Sequence, residues 1–290
     1  MKETKPIGST GEIDPAASGD AMNDFLRLAE GIASCYSRAQ QVEAVALGGS
    51  AASGLVEAGS DIDLYVYLNA PLPLQVRSSI ARAAASYAEV DNQFWEPGDE
   101  WIDRVSGIHV DVMFRDIGWI QDQLDRVLLH FQASVGYTTC LWHNVMTSKP
   151  LYDRGGWFRR FQEQAARPYP EQLRGAIIEK NHPILRTTAS SYLYQLTRAV
   201  AREDWISVNH RVAALLASYF DILFAINRTP HPGEKRLLQI ALSTCARTPE
   251  GIVEHIEALL RATHRAEVLT SAECLIDGLE NLLRAEALIA

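Results

Sequence analysis

The sequence predicts an α/β (α+β) domain, a small mixed sheet with flanking helices, followed by an all-α helical bundle. Two segments, Asp61–Leu68 (DIDLYVYL) and Ile108–Phe114 (IHVDVMF), are rich in β-branched and aromatic residues and alternate as half-buried strands do. From residue 171 onward the pattern changes to long amphipathic segments with few strand signals. A short extended piece, Lys149–Asp153, and a Gly155-Gly156 turn close the first part. The expected division is a loose tail at 1–20, rich in Gly, Ser, Pro and charge, an α/β domain at 21–155 and a helical domain at 156–290.

Taken in order, residues 22–40 read as a helix, because Phe25, Leu28, Ile32 and Tyr36 recur at helical spacing. Val42–Leu47 is a short apolar run ending at Gly48-Gly49 and reads as a buried strand. Ser50 is placed to cap a following helix that carries Leu55 and Val56. The strand 61–68 is stopped by Pro71 and Pro73, an Ala-rich helix is expected over 74–88, and Val90–Trp95 reads as a strand. Residues 117–132 read as a helix. Further helices are expected over 172–201, 204–227, 234–246, 250–264 and 270–288, with a sharp break at Asn227–Gly233, which holds two prolines and a glycine.

The 290 residues suffice for one or two well-buried cores, and 47% hydrophobic with 22% charged residues is ordinary for a soluble globular protein. No apolar run approaches the roughly 20 residues that span a bilayer, and the N-terminus carries no apolar signal stretch, so a cytoplasmic location is expected. Four cysteines without a C-x-x-C pair exclude a zinc knuckle or redox motif and read as reduced thiols. The net charge of −9 disfavours a nucleic-acid partner, whose backbone is bound by neutralising phosphates. Between Glu89 and Asp125 stand ten acidic residues and only two arginines, either a solvated surface or a face attractive to a cation.

The stretch that carries chemistry is Leu47-Gly48-Gly49-Ser50, ten residues, then Asp61-Ile62-Asp63-Leu64. On a strand, positions i and i+2 share a face, so Asp61 and Asp63 project together, about 7 Å apart at the backbone. Ile62 and Leu64 point into the core. Side-by-side carboxylates repel unless a cation lies between them, and Mg²⁺ favours such a set completed by water and phosphate oxygens. Asp111, between Val110 and Val112, shares a face with His109 and Met113. If its strand pairs with 61–68, three carboxylates converge, enough for two ions roughly 3.5–4 Å apart. Gly48 and Gly49 let backbone N–H groups approach a phosphate, and Ser50 adds a hydroxyl. The same glycines lack the G-x-G-x-x-G spacing of a dinucleotide turn, and Ala52 stands where a nucleophile elbow needs glycine.

This pattern resembles the DNA polymerase beta-like nucleotidyltransferase superfamily: hydrophobic-Gly-Gly-Ser, a gap of ten, Asp-x-Asp, and a third Asp on a later strand, here Gly49, Ser50, Asp61, Asp63 and Asp111. Ser60-Asp61-Ile62-Asp63-Leu64 is similar to the minimal and antibiotic nucleotidyltransferases. Those often carry arginine where this chain has Ser53, so a phosphate contact from that position is not implied. Leu223–Asn227 followed by Pro232-Gly233-Glu234-Lys235 is similar to a segment of bacterial nucleotidyltransferases with an appended helical domain, and that resemblance turns Lys235 toward the nucleotide. The resemblance implies two Mg²⁺ ions on Asp61, Asp63 and Asp111, with Gly48, Gly49, Ser50 and Lys235 on the nucleotide. The expected reaction moves a nucleoside monophosphate, AMP from ATP, to a hydroxyl of a small acceptor, an aminoglycoside-like cation in keeping with the acidic balance. The alternatives are a nucleotidyltransferase-like regulatory or antitoxin-type binding protein, or an enzyme that modifies a protein or tRNA. Glu179, Lys180 and His182 are open candidates for a general base.

Overall fold

The structure, a computed structural model, describes residues 15–49, 60–94 and 96–289. Ser50, Ser53, Leu55 and Val56, with the helix expected to follow Ser50, lie outside the described residues, as do residues 1–14 and Trp95. Helix α1, Pro15–Ser37, starts inside the stretch expected as tail. A proline is preorganised for the first helical turn, and Ala16 and Ala17 behind it favour helix.

The chain divides into two compact units, and each draws on two stretches of sequence. One is Met1–Ile117 with Ser148–Arg160, the other Gly118–Thr147 with Phe161–Ala290. Thus 118–147, expected within a contiguous α/β domain, counts with the helices.

The first unit holds a mixed six-stranded sheet: β1 Val42–Leu47, β2 Ile62–Leu68, β3 Ala85–Asn92, β4 Gly98–Asp103, β5 His109–Asp116 and β6 Lys149–Asp153. Their order is β3-β4-β5-β2-β1-β6. Among the described residues only β2 and β5 run parallel, in a register that sets Asp63 opposite Asp111 and Leu64 opposite Val112; the other pairs are antiparallel. Helix α2, Leu74–Ala84, ends four residues before the expected 88. The chain instead enters β3, whose ladder with β4 gives Ala85–Asn92 backbone partners that the helix propensity of its alanines does not outweigh.

One face of the sheet is the core. Phe25, Ala29, Ile32 and Tyr36 of α1 pack with Val45, Leu47, Ile62, Leu64, Val66, Trp101, Val110 and Val112. Strand alternation then sends Asp63, Asp111 and their neighbours to the opposite face.

The second unit is helical. After α3, Ile117–Leu128, and α4, Cys140–Thr147, come α5 Trp157–Ala165, whose residues up to Arg160 count with the first unit, then α6 Glu171–Arg186, α7 Tyr192–Ala201, α8 Trp205–Ile226, α9 Leu237–Thr244, α10 Ile252–Arg261 and α11 Val268–Ala285. The single helix expected over 172–201 is two. Pro183 lacks an N–H, the chain turns after Arg186, and Ser191 caps the next helix through the N–H of Tyr194. Every residue from Ser218 to Ile226 is buried, so the C-terminal half of α8 is enclosed on all sides and forms the centre of this unit. Tyr219 and Phe220 belong to its core, whereas Tyr194 is half exposed. Nε2 of His182, a candidate base, stands 3.2 Å from Oε1 of Glu280, which also accepts from Arg186. All four cysteines are free thiols. Among the described residues no helix is long and apolar enough to cross a membrane.

Candidate functional site

The acidic face of the sheet is built by register. Asp63 of β2 stands opposite Asp111 of β5, Asp111 opposite Glu100 of β4, and Glu100 opposite Glu89 of β3. Neighbouring strands lie about 4.8 Å apart, so four carboxylates form one row across four strands. A second row runs beside it: Tyr87 opposite Ile102, and Ile102 opposite His109. Asp61 precedes β2 and is half exposed, with its Oδ1 4.0 Å from Nδ1 of His109. Nε2 of His109 stands 3.9 Å from Oε2 of Glu100. His109, read from sequence as a strand residue beside the aspartates, thus links Asp61 to Glu100.

Asp111 is the most perturbed of these groups. Burial pushes its carboxyl up to about 6, the nearby charges of Glu100 and Asp63 add to the rise, and His109 opposes it. A half-buried carboxylate among like charges is what an added cation would relieve.

The glycine turn closes over the same place. The N–H of Gly48 donates to the backbone carbonyl of Asp63 at 2.8 Å, which ties the end of β1 to β2. A Cβ on Gly48 would run into the ring of Tyr65. Gly49 has a φ of +62° and lies against the Asp63 side chain, where a Cβ would overlap Oδ2 and stand 3.0 Å from Cγ. Both glycines are therefore fixed by space, and Gly49 also by backbone conformation.

The acidic stretch from Glu89 to Asp125 proves heterogeneous. Asp99 is buried and receives Nε and Nη2 of Arg77 at 3.1 and 2.6 Å. Glu96 receives Nε and Nη2 of Arg115, both at 3.0 Å. Asp103 accepts the N–H groups of Val105 and Ser106 in the turn after β4. Only Glu89, Glu100 and Asp111 of this stretch join the row. Glu100 is masked in the sequence because Pro97-Gly98-Asp99-Glu100 has the composition of a turn, and Glu89 because its strand directly follows an Ala-rich stretch that favours helix. The alternation of Asp99, Trp101 and Asp103 with Glu100 and Ile102 was the signal available.

Lys235 lies in the other unit, exposed in the turn before α9. The loop ahead of it is held at His231, whose N–H donates to Thr139 Oγ1 at 2.7 Å and whose Nδ1 accepts from the N–H of Gly233 at 3.1 Å. Among the described residues no three His, Cys, Asp or Glu side chains are gathered closely enough to hold a metal ion by themselves.

Residues 29–133 match the nucleotidyltransferase domain family, and residues 139–237 match a domain of unknown function, DUF4037. No curated protein matches the chain in sequence. Among solved structures, a nucleotidyltransferase-like protein from Exiguobacterium sibiricum is similar at 14% identity and TM-score 0.43, over 91% of this chain and 76% of that one. The spectinomycin adenyltransferase of Enterococcus faecialis, solved with ATP and spectinomycin, is similar at 10% identity and TM-score 0.29, over 90% and 99%. The Thermotoga maritima CCA-adding enzyme, solved with tRNA, is similar at 12% identity and TM-score 0.32, over 95% and 83%. The domain match covers the glycine turn and all three aspartates, so residues 29–133 form a nucleotidyltransferase domain, of the superfamily that the motif resembles.

Proposed function

We propose that the protein is a Mg²⁺-dependent enzyme that moves a nucleoside monophosphate, AMP from ATP, onto a hydroxyl of a small cationic acceptor. The observation that carries this is the direct opposition of Asp63 and Asp111 across β2 and β5, with Gly49 against the Asp63 carboxylate. The donor set suits a hard cation: all its atoms are carboxylate oxygens, and Asp111 carries the raised affinity for positive charge expected of a group crowded by like charges. Since these side chains alone do not enclose an ion, triphosphate oxygens would complete the coordination.

In this reading Asp61, Asp63 and Asp111 hold the cations, which when bound neutralise the triphosphate and the departing pyrophosphate. Gly48 and Gly49 keep the turn close enough for backbone N–H groups to meet phosphate, and Ser50 adds its hydroxyl. Asp111, with its raised affinity for a proton, is also suited to take the proton of the attacking hydroxyl. Lys235 contributes positive charge to the nucleotide. Residues 156–290 select the acceptor.

The cationic class of the acceptor is supported by Glu100 and Glu89, which extend the carboxylate row two strands beyond Asp111. Exposed Tyr87 and Ile102 beside them offer an apolar surface for the body of such a molecule. The net charge of −9 weighs against a nucleic-acid acceptor. The test is pyrophosphate release with each of the four NTPs and Mg²⁺, against panels of aminoglycosides, nucleosides, tRNA and proteins. Release dependent on an aminoglycoside-like cation supports the proposal; release only with tRNA or protein overturns the acceptor class, and no release with any NTP overturns the activity.

A further inference from the structure

Beside the aspartates, the same face of the sheet carries an ion pair that the site has not used. Tyr65 follows Asp63 by two positions on β2, and Arg115 follows Asp111 by four on β5, so strand alternation puts both on the face of the carboxylates. Both are buried, Tyr65 at 7% and Arg115 at 4% exposure. The Arg115 guanidinium lies over the Tyr65 ring, 4.0 Å from its centroid. Glu96 accepts its Nε and Nη2, each at 3.0 Å and each on a different oxygen. Two such bonds to one carboxylate fix the plane of a guanidinium as well as its position.

The ring in turn bears on the glycine turn. Cε2, Cζ and Cδ2 of Tyr65 fill the space that a Cβ on Gly48 would need. Gly48 is buried with its N–H committed to the carbonyl of Asp63, and Gly49 after it lies against the Asp63 carboxylate. A line of contacts therefore runs from Glu96 through Arg115 and Tyr65 to Gly48. Burying a guanidinium costs free energy that an apolar side chain of similar size does not, so stability alone does not account for the pair. Beyond packing, the pair supplies a flat seat of fixed orientation for the ring.

We propose that Arg115 and Glu96 are positioning residues for nucleotide binding: through the ring of Tyr65 they set the height of the Gly48-Gly49 turn, and so bring its backbone N–H groups against the triphosphate. This rests on the reading that the turn meets the phosphates of ATP. Both residues act through the ring and not on the nucleotide.

The test is calorimetric binding of α,β-methylene ATP with Mg²⁺ to the full chain, with thermal melting of each variant. Arg115→Met keeps length and apolar contact but removes the fork. It should melt no lower than wild type and bind the analogue about tenfold more weakly, as for one lost charge-assisted hydrogen bond. Tyr65→Leu should lose a similar factor, whereas Tyr65→Phe keeps the ring and should stay within about twofold of wild type. Glu96 is only partly buried, so Glu96→Gln carries little folding risk; it should weaken binding by about threefold. Wild-type affinity in folded Arg115→Met and Glu96→Gln overturns the proposal and leaves the phosphate role of the turn standing. Affinity lost only in step with melting temperature overturns it too, since the stack would then be structural support. So does Tyr65→Phe binding as weakly as Tyr65→Leu. No binding of the analogue by the wild-type protein overturns both the proposal and the reading of the turn.

Discussion

Gly49 and Asp63 are locked together: the α-carbon of one occupies space that leaves no room for a methyl group beside the carboxylate of the other. The glycine is there for two reasons that add. Its φ of +62° is one that side-chain-bearing residues adopt at a cost of about 1–2 kcal/mol. Its missing Cβ lets Asp63 stand upright in the row. Gly49→Ala is therefore expected to fold with a small loss of stability but to lose transfer activity on the order of 100-fold, because Asp63 must move. Melting and turnover measured on the same sample check this. A variant with near-normal turnover would separate the glycine from the chemistry.

Asp61 is exposed and Asp63 faces away from the apolar core of the sheet, so their replacement by the isosteric amide should affect chemistry more than folding. Asp61→Asn and Asp63→Asn are expected to keep the wild-type circular dichroism spectrum while lowering turnover roughly 100- to 1000-fold or more. In the wild-type protein, calorimetry should show ATP binding with Mg²⁺ and none in EDTA, since a bare carboxylate row repels a triphosphate. Equal ATP affinity in EDTA, or normal turnover in both variants, would remove the aspartates from the metal site.

The three aspartates were legible because the information that places them is local. Two positions apart on a strand means one face, and Val110 and Val112 flank Asp111 as core residues must. Glu100 was not legible, because its place depends on which strands pair and in what register, and four of the six residues of β4, Gly98, Asp99, Glu100 and Asp103, have weak strand preference. The same non-local pairing turned the end of an expected Ala-rich helix into β3. The joining of 118–147 to the helical unit was hidden for a related reason. Ser134, Gly136 and Thr138 are fastened to Asn181 and Asp221, tens of residues away, by hydrogen bonds that no sequence period announces.

Lys235 is a weaker case than the aspartates, and its expected effect is correspondingly small. The side chain is exposed, so a contact with triphosphate would be screened by water and salt. Lys235→Ala should weaken ATP binding by about 1 kcal/mol, the low end for a charge-assisted hydrogen bond, and by less at high ionic strength. Titrations with ATP and Mg²⁺ at two salt concentrations check this. Unchanged affinity at low salt would take Lys235 out of the nucleotide site and leave the aspartates as proposed.

Asp111 ties stability to function through pH. Its carboxyl titrates at about 6 in the folded protein, through burial first and the charges of Glu100 and Asp63 second, against about 3.9 in an unfolded chain. Folding therefore favours the protonated form. Between about pH 4 and pH 6 the native state holds the extra proton, so the contribution of this group to stability is greatest below the unfolded value and declines as pH rises through the folded one. Above pH 6 the charged carboxylate is a burden on the metal-free protein. Asp111→Asn removes that burden: at pH 7.5 in EDTA the variant should be more stable than wild type, on the order of 1 kcal/mol once partial exposure is allowed for, while its transfer activity is lost. The gain should shrink as the pH is lowered toward 4, and Mg²⁺ with ATP should restore wild type relative to the variant by binding only the intact site. Asp221, also raised to about 6 by burial, carries the same sign, so a residual decline with pH remains in the variant. Denaturant unfolding of both proteins across pH 4–8, with and without Mg²⁺ and ATP, measures each of these effects. A variant no more stable than wild type at pH 7.5 would show that Asp111 is not crowded by its neighbours.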